Sequence, residues 1–397
     1  MTESYWQRKN RPQSGNKKSG EIPRRCDIAI VGAGLAGIAV AHFLKKLGCD
    51  DVVVLEKEFV GYGASGRNAG FLLAGLSEPY SRLQVGMGKE SAKEFMHATI
   101  DNHTLIEEAI SEKGIECDYS RSGSYHLAVT EVEKREYEET AELLCRDGFE
   151  AKIVDYTFKT AAGRLKGYLG GYYYPGDGCL DPLAFIRGLS KNLKVVEGFA
   201  VRQVEKANGM VRITGSRGSL DCEMAILVTN GYLPLLDGFF KKLIFPIRGQ
   251  MMATSPLKTR ILDGSIYYAN FGYDYFRQHI DKTLLIGGLR NRYLNEEYGY
   301  EDALNQALQT DLARYARGNL GAEDIEVDSR WSGVMGGTID GLPIVGALPH
   351  NCSVIVCGGY NGHGFGLGMI VARDIAGAII KGDKSGLLER FSLRRFS

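Results

Sequence analysis

The residues with the most chemical content lie in one short run. Gly32, Gly34 and Gly37 form a Gly-x-Gly-x-x-Gly turn, and Glu56 stands 24 positions after the first of them. Glycine accounts for 51 of 397 residues, so the spacing alone carries little weight. Its setting carries more. The turn follows the apolar run 26–31, opens the helical stretch AVAHFLKKLG and precedes a second apolar run that ends in Glu56. In that strand–turn–helix–strand context such a turn holds the pyrophosphate of a dinucleotide. Gly32 permits the tight turn, Gly34 lets the backbone approach the phosphates, and Gly37 lets helix and strand pack closely. At Leu35 and Ala36 unpaired amide N–H groups meet the phosphates at a helix start, where the macrodipole favours negative charge. Glu56 is expected to accept from a ribose diol and to repel a 2′-phosphate, which disfavours NADP and leaves FAD and NAD open.

Two further clusters could do chemistry. Tyr273, Tyr275, Arg277 and His279 alternate, so they share one face of a strand. The loop 358–364, GGYNGHG, sets His363 among glycines just ahead of a helical stretch. No CxxC or other paired ligand spacing is present, so no metal site is expected.

The elements that must position these residues can be read coarsely. Residues 61–70 are too glycine-rich for a strand or helix, 78–114 read as one helix, 123–129 as a strand and 131–146 as a charged helix. Residues 195–228 form a small β-meander, 247–289 hold several aromatic strands, and 301–317 a helix. Strands at 325–331, 343–345 and 353–356 precede the final loop and helix. The sequence predicts an N-terminal arm at 1–24, poorly ordered by composition apart from Tyr5 and Trp6, which are unusual in a solvated tail. A discontinuous nucleotide domain is expected at 25–85, 150–240 and 330–397, with a second, substrate domain at 86–149 and 241–329.

Composition excludes several functions. Lys plus Arg equals Asp plus Glu at 48 each, which argues against a nucleic-acid or anionic-membrane partner. The N-terminus lacks the apolar core of a signal peptide, and the apolar stretch 366–380 is too short to span a bilayer. Eight cysteines without a framework spacing are expected to be free thiols, and the chain to be cytoplasmic.

Taken in order, the βαβ unit ending in Glu56, GYGASGRNAGF, PIRGQ, WSGVMGGTIDGLPIVG and GGYNGHGFGLG resemble the FAD-dependent amine oxidoreductases that include D-amino acid, glycine and sarcosine oxidases. The chain is most similar to the gamma-glutamylputrescine oxidoreductase branch, down to the start Ser4-Tyr5-Trp6. The resemblance implies an α/β fold: a Rossmann-like FAD-binding domain with a second domain of mixed β-sheet plus helices, as in D-amino acid oxidase. It resolves the cofactor as FAD, whose extended form needs glycine-lined backbone beyond the first turn.

By that resemblance the cofactor would be lined by Lys57, Gly63, Ala64, Ser65, Arg67, Asn68, Ala69, Gly70, Val201, Asn230, Gly231, Gln250, Gly333, Asp340, Gly359, Tyr360, Gly362, His363 and Gly364, besides the first turn and Glu56. Gly333 stands where relatives of one type carry a cysteine linked to the flavin, and Arg67 or Asn68 where another type carries a histidine, so FAD is expected to be non-covalent. The strand face of Tyr273, Tyr275 and Arg277 would border the substrate, with Arg277 binding a carboxylate or assisting oxygen reduction, and His363 would lie near the flavin without acid–base work.

The implied reaction is transfer of a hydride from the carbon beside a primary or secondary amine, or an amino acid, to flavin N5. The imine then hydrolyses, and oxygen, or another electron acceptor, reoxidises the cofactor with peroxide as the product of oxygen. Rival readings are a dehydrogenase feeding a quinone or carrier, a flavoprotein of RNA or cofactor modification, and a flavoprotein subunit without independent catalysis.

Overall fold

A run such as Val52–Leu55, VVVL, has no polar side chain to turn towards water, and all four residues are buried. Strands of that kind sit inside parallel sheets covered on both faces. The computed structural model describes residues 2–11, 20–155 and 165–396, with the backbone alone of Lys159–Thr160 and Gly163–Arg164. In it Val52–Leu55 lies between Lys194–Val196 and Arg25–Val31, parallel to both. Arg25–Val31 pairs in turn with Gly218–Leu227. That strand serves two neighbours on its far edge: residues 218–222 pair with the meander strand Met210–Gly215, and 225–227 with the C-terminal strand Asn351–Gly358.

The helices Leu35–Lys46 and Gly364–Lys381 pack together against this sheet in one apolar core, along with Pro182–Ser190 and Lys89–Lys113. Asn102 pins the last of these: its Nδ2 donates to Phe365 O at 2.8 Å, while its Oδ1 accepts from Met369 N and Ile370 N at 2.9 and 3.1 Å. The helix expected over 78–114 is two helices, Tyr80–Met87 and Lys89–Lys113. They are separated at Gly88, whose φ of 83° lies outside what a helix allows.

A second, mixed sheet runs in the order Val327–Thr338, Ile244–Thr254, Leu284–Gly288, Asp274–Gln278, Ile266–Ala269, Ser124–Ala128, Gly170–Tyr174, Lys152–Val154. The strands at 152–154 and 170–174, and the strand 327–338 from residue 330 onward, fall in segments that the sequence reading gave to the nucleotide domain, and the helix 89–113, expected in the substrate domain, packs on the first sheet. Backbone contacts that only glycine allows are responsible. A Cβ at Gly171 would lie 1.9 Å from His126 O, so glycine draws this strand onto Ser124–Ala128. Val327–Thr338 continues past the strand expected at 325–331, through Gly333, Gly336 and Gly337, because each faces a paired residue of Ile244–Thr254.

The N-terminal arm is ordered over its first residues. Tyr5–Lys9 is a helix with a Ser4/Gln7 capping box, and Trp6 is fully buried. Residues 12–19 of the arm lie outside the described residues. No helix among the described residues is long and apolar enough to cross a membrane, none of their side chains form a metal-binding group, and all eight cysteines are free.

Candidate functional site

A cavity of about 930 Å³ extends from the first glycine turn, between the two sheets, to the aromatic strands. At its nucleotide-sheet end the turn is built by steric necessity. Gly32 has φ 109°, and a Cβ on Gly37 would stand 1.9 Å from Gly32 O. Gly37 therefore packs the turn and does not border the cavity, whereas Gly32, Gly34, Leu35 and Ala36 do. The helix Leu35–Lys46 opens without a side-chain cap at Gly34, and Leu35 N donates to Ser65 Oγ at 3.0 Å. That bond holds a hydroxyl beside the helix start, where phosphate oxygens would need donors.

Glu56 is 8% exposed and borders the cavity. Its Oε2 accepts from Ala33 N at 2.8 Å and its Oε1 from Glu58 N at 3.0 Å. Burial raises its pKa, and those two N–H groups oppose the rise. A carboxylate has about four acceptor positions, so two remain for hydroxyls of a ribose. Lys57 lies over the Tyr232 ring at 4.5 Å on the same wall, which also takes in Val201.

FAD fits this site. The cavity is long and lined by backbone at Gly32, Gly34, Gly63, Ala64, Gly333, Gly362 and Gly364, as a cofactor pressed against main chain requires. At its rim Thr229 Oγ1 is buried without a protein partner among the described residues, a hydroxyl awaiting one. At the far end the helix Gly364–Lys381 starts without a side-chain cap at His363, and residues 361–366 border the cavity, so its positive end and free amides face inward.

The remaining expected residues divide. Ala69, Asn68 and Tyr360 border the cavity. Asn230 does too, but its Oδ1 accepts from Gly359 N at 2.9 Å and Tyr360 N at 3.3 Å and so fixes the final loop. Asp340 borders the cavity with its carboxylate committed to Arg395, at 2.7 and 3.2 Å, which lowers its pKa against the effect of burial. Arg67 lines the wall, yet its guanidinium is spent on Tyr62 O, Ser332 O and both oxygens of Thr2, at 2.9 to 3.1 Å.

Gly70, Gly231, Gly359 and Gln250 do not border the cavity. A Cβ at Gly70 would meet Leu180 O at 2.3 Å, and one at Gly231 would meet Met335 O at 2.8 Å, so both serve close packing. Gly359, at φ 73°, turns the chain out of its strand. Gln250 is fully buried; its amide donates to Glu297 at 3.0 Å and its oxygen accepts from Asn305 N and Gln309 Nε2.

Of the residues expected on the strand face, Tyr273 and Tyr275 border the cavity and Arg277 does not. Arg277 is 2% exposed, stacked 5.1 Å from the Trp6 ring, with its guanidinium towards Gly70 O and Leu180 O at 3.4 and 3.3 Å. It shares the expected face, but that half of the face is roofed by the N-terminal helix. His279 lies there as well, between Asp281 and Asp118 at 3.0 and 3.2 Å. Two cations line this end of the cavity: Arg82, 4.5 Å over the Phe271 ring and paired with Glu78 and Glu136, and Arg290, 4.7 Å over the Tyr273 ring, with which no carboxylate pairs among the described residues. Local pattern could not reveal Arg290. Leu289, a non-glycine at φ 59°, swings the chain back over the strand face just before it.

Tyr268, Phe271 and Met335 complete the wall. Tyr268 projects from a strand already recognised as aromatic; its hydroxyl lies 3.5 Å from His363 Nε2. His363 Nδ1 meets Asn361 O at 3.3 Å, and burial lowers its pKa to about 4, so the ring is neutral. Burial likewise pushes the Tyr275 hydroxyl up to about 12.

The family model for FAD dependent oxidoreductases matches residues 27–378. The gamma-glutamylputrescine oxidoreductase of Escherichia coli K12 is 27% identical over 383 residues, covering 92% of this chain and 85% of that one. Among solved structures, glycine oxidase from Geobacillus kaustophilus superposes with a TM-score of 0.77 at 21% identity, over 94% of this chain and 99% of that one. L-proline dehydrogenase from P. horikoshii superposes with 0.78 at 19% identity, over 94% and 98%. The architecture is thus shared with one protein named as an oxidase and one named as a dehydrogenase.

Proposed function

The chain belongs to the FAD dependent oxidoreductase family, and from that premise we propose that it oxidises an amine that also carries an acidic group, an amino acid or an N-substituted relative of one. When bound, FAD takes the hydrogen and two electrons from the carbon beside the amine. The chain's own residues bind, orient and desolvate. We take the first sheet with its helices as the FAD-holding unit and the second sheet as the substrate-facing one. Gly32 to Ala36, Ser65 and Glu56 would hold the nucleotide end, and residues 361–364 the flavin end. Gly333 leaves no thiol at that wall, in keeping with non-covalent binding.

Arg290 is the observation that carries the substrate class. A cation beside Tyr273 with no carboxylate partner suits an anionic group of the substrate. Tyr268, Phe271 and Tyr275 supply an aromatic wall, and burial there would depress a substrate ammonium's pKa and favour the neutral amine. Neutral His363 would orient Tyr268 through their contact and stay outside proton transfer. The product imine would hydrolyse in water to a carbonyl compound and the smaller amine.

Oxygen is the favoured acceptor, with peroxide released. The likeness to a protein named as a dehydrogenase supports a quinone or carrier as the second reading. Free thiols at all eight cysteines suit a reducing compartment such as the cytoplasm.

Anaerobic bleaching of the flavin tests the reading. Glycine, L-proline, N-methyl amino acids, D-amino acids and gamma-glutamylputrescine would be compared with amines of equal size that lack a carboxylate. Bleaching only by the carboxylate-free amines would overturn it. Peroxide formed under air, set against dye reduction under nitrogen, separates the two acceptors.

A further inference from the structure

Residues 2–10 do not border the cavity, yet they hold its glycine-rich wall from behind. Ser4 Oγ donates to Gly66 O at 2.6 Å, Trp6 Nε1 to Asn68 O at 2.7 Å and Gln7 Nε2 to Tyr62 O at 3.0 Å. The two oxygens of Thr2 each accept from Arg67 at 2.9 Å. From the second sheet Trp331 Nε1 donates to Arg67 O at 2.8 Å. These are the chain's only two tryptophans. Both are fully buried, and they grip adjacent carbonyls of one loop.

The same short segment is tied to the rest of the chain by polar contacts at each end. Thr2 N donates to Asp302 at 3.0 Å, Tyr5 to Asp281 at 2.6 Å, Arg8 to Asp328 at 2.8 Å and Asn10 to Asp181 at 2.8 Å. Loops that carry backbone to a ligand are ordinarily among the less stable parts of a fold. This one has its carbonyls at 62, 66, 67 and 68 satisfied on the side away from the cavity, so Gly63, Ala64, Ser65 and Ala69 are presented in one conformation.

We propose that residues 2–10, centred on Trp6, are a positioning part of the FAD site, and that their docking is thermodynamically coupled to occupancy of the cavity. This rests on the FAD reading above. A loop held ready binds without first being ordered, so the segment raises cofactor affinity through a wall it touches only from outside. By reciprocity, bound FAD must then hold the segment down. A clamp that served stability alone would act equally with and without cofactor.

Hydrogen–deuterium exchange on the intact protein separates these. The peptide spanning residues 2–11 is expected to exchange more slowly when the apoprotein is saturated with FAD. Identical exchange with and without FAD would overturn the proposal. In a second arm, Trp6→Phe keeps an aromatic ring, smaller than indole, and removes the donor. We expect the FAD dissociation constant to rise about tenfold, the effect of one lost buried hydrogen bond, with far-ultraviolet dichroism unchanged. Arg25→Ala, which removes an exposed ion pair with Glu223 outside this segment, should leave it where it was. A Trp6→Phe protein that binds FAD like the parent would also overturn the coupling. If the parent chain binds no FAD at all, the functional reading fails, and this inference with it.

Discussion

The guanidinium of Arg290 stands 4.7 Å over the ring of Tyr273. Stacking orients the cation without neutralising it, so its donors stay directed at whatever enters between Tyr273 and Tyr275. Replacing Arg290 with Leu should raise KM for an acid-bearing amine by about 10- to 100-fold, the worth of a hydrogen bond to a charged group. The bleaching rate with carboxylate-free amines should not change. Arg277→Leu should do the reverse, lowering thermal stability with little change in KM once FAD is saturating. Equal KM effects from the two substitutions would remove Arg290 from the substrate's recognition.

Asp274 offers a stability test. It is 4% exposed, its Oδ1 has no partner among the described residues, and burial raises its pKa from 3.8 to about 6. Between those values the folded chain binds the proton more tightly than the unfolded chain does. The contribution to stability is therefore full below 3.8 and lost as pH rises through 6. Asp274→Asn keeps the shape and removes the charge, so it should stabilise the protein at pH 7.5 by about 1–3 kcal/mol and flatten the slope between pH 4 and 6. Urea titrations at several pH values check this, and parallel curves for the two proteins would rule it out.

What the sequence could and could not reveal follows from the range of the forces involved. The turn at Gly32 and the strand ending in Glu56 were legible because backbone geometry there depends on neighbours a few residues away. Alternation also put Tyr275 and Arg277 on one face of the strand Asp274–Gln278, whereas Tyr273 precedes that strand in a helical conformation and reaches the cavity from the turn. Which half of that face meets the cavity is decided by Trp6, more than 250 positions distant in sequence, and no local pattern encodes that docking. Gln250 and Arg67 were hidden similarly: their polar groups are consumed by Glu297 and Thr2, partners far away in the chain. Arg290 was missed because its placement depends on Leu289 adopting a left-handed conformation that nothing in its residue type announces.

Two glycines of the cavity region should respond oppositely to alanine. At Gly37 a Cβ would lie 1.9 Å from Gly32 O and 2.9 Å from a Val228 methyl, so the turn cannot keep its shape. Gly37→Ala should lose FAD binding, and soluble protein with it. At Gly63 a Cβ meets nothing within 4 Å, and the backbone needs no positive φ. Gly63→Ala should fold with a melting temperature like the parent's, and any loss should appear in FAD affinity alone. A stable, yellow Gly37→Ala protein would contradict the steric account of the turn.

His363 gives the prediction that bears most directly on mechanism. Its pKa falls from 6.5 to about 4, chiefly through burial, and the contact with Asn361 O opposes the fall. A depressed base contributes stability that is full above 6.5 and lost as pH drops through 4. The ring is therefore neutral across the range in which amine oxidation is assayed, and it cannot supply a titrating limb between pH 5 and 9. A limb in that range belongs to the substrate ammonium and should move with the substrate's own pKa when the amine is varied. His363→Asn should leave the limb where it stands and lower kcat by disturbing Tyr268, whose hydroxyl lies 3.5 Å from Nε2. If the limb vanishes in that variant, or keeps its position across amines of different basicity, then His363 moves protons and the burial argument fails.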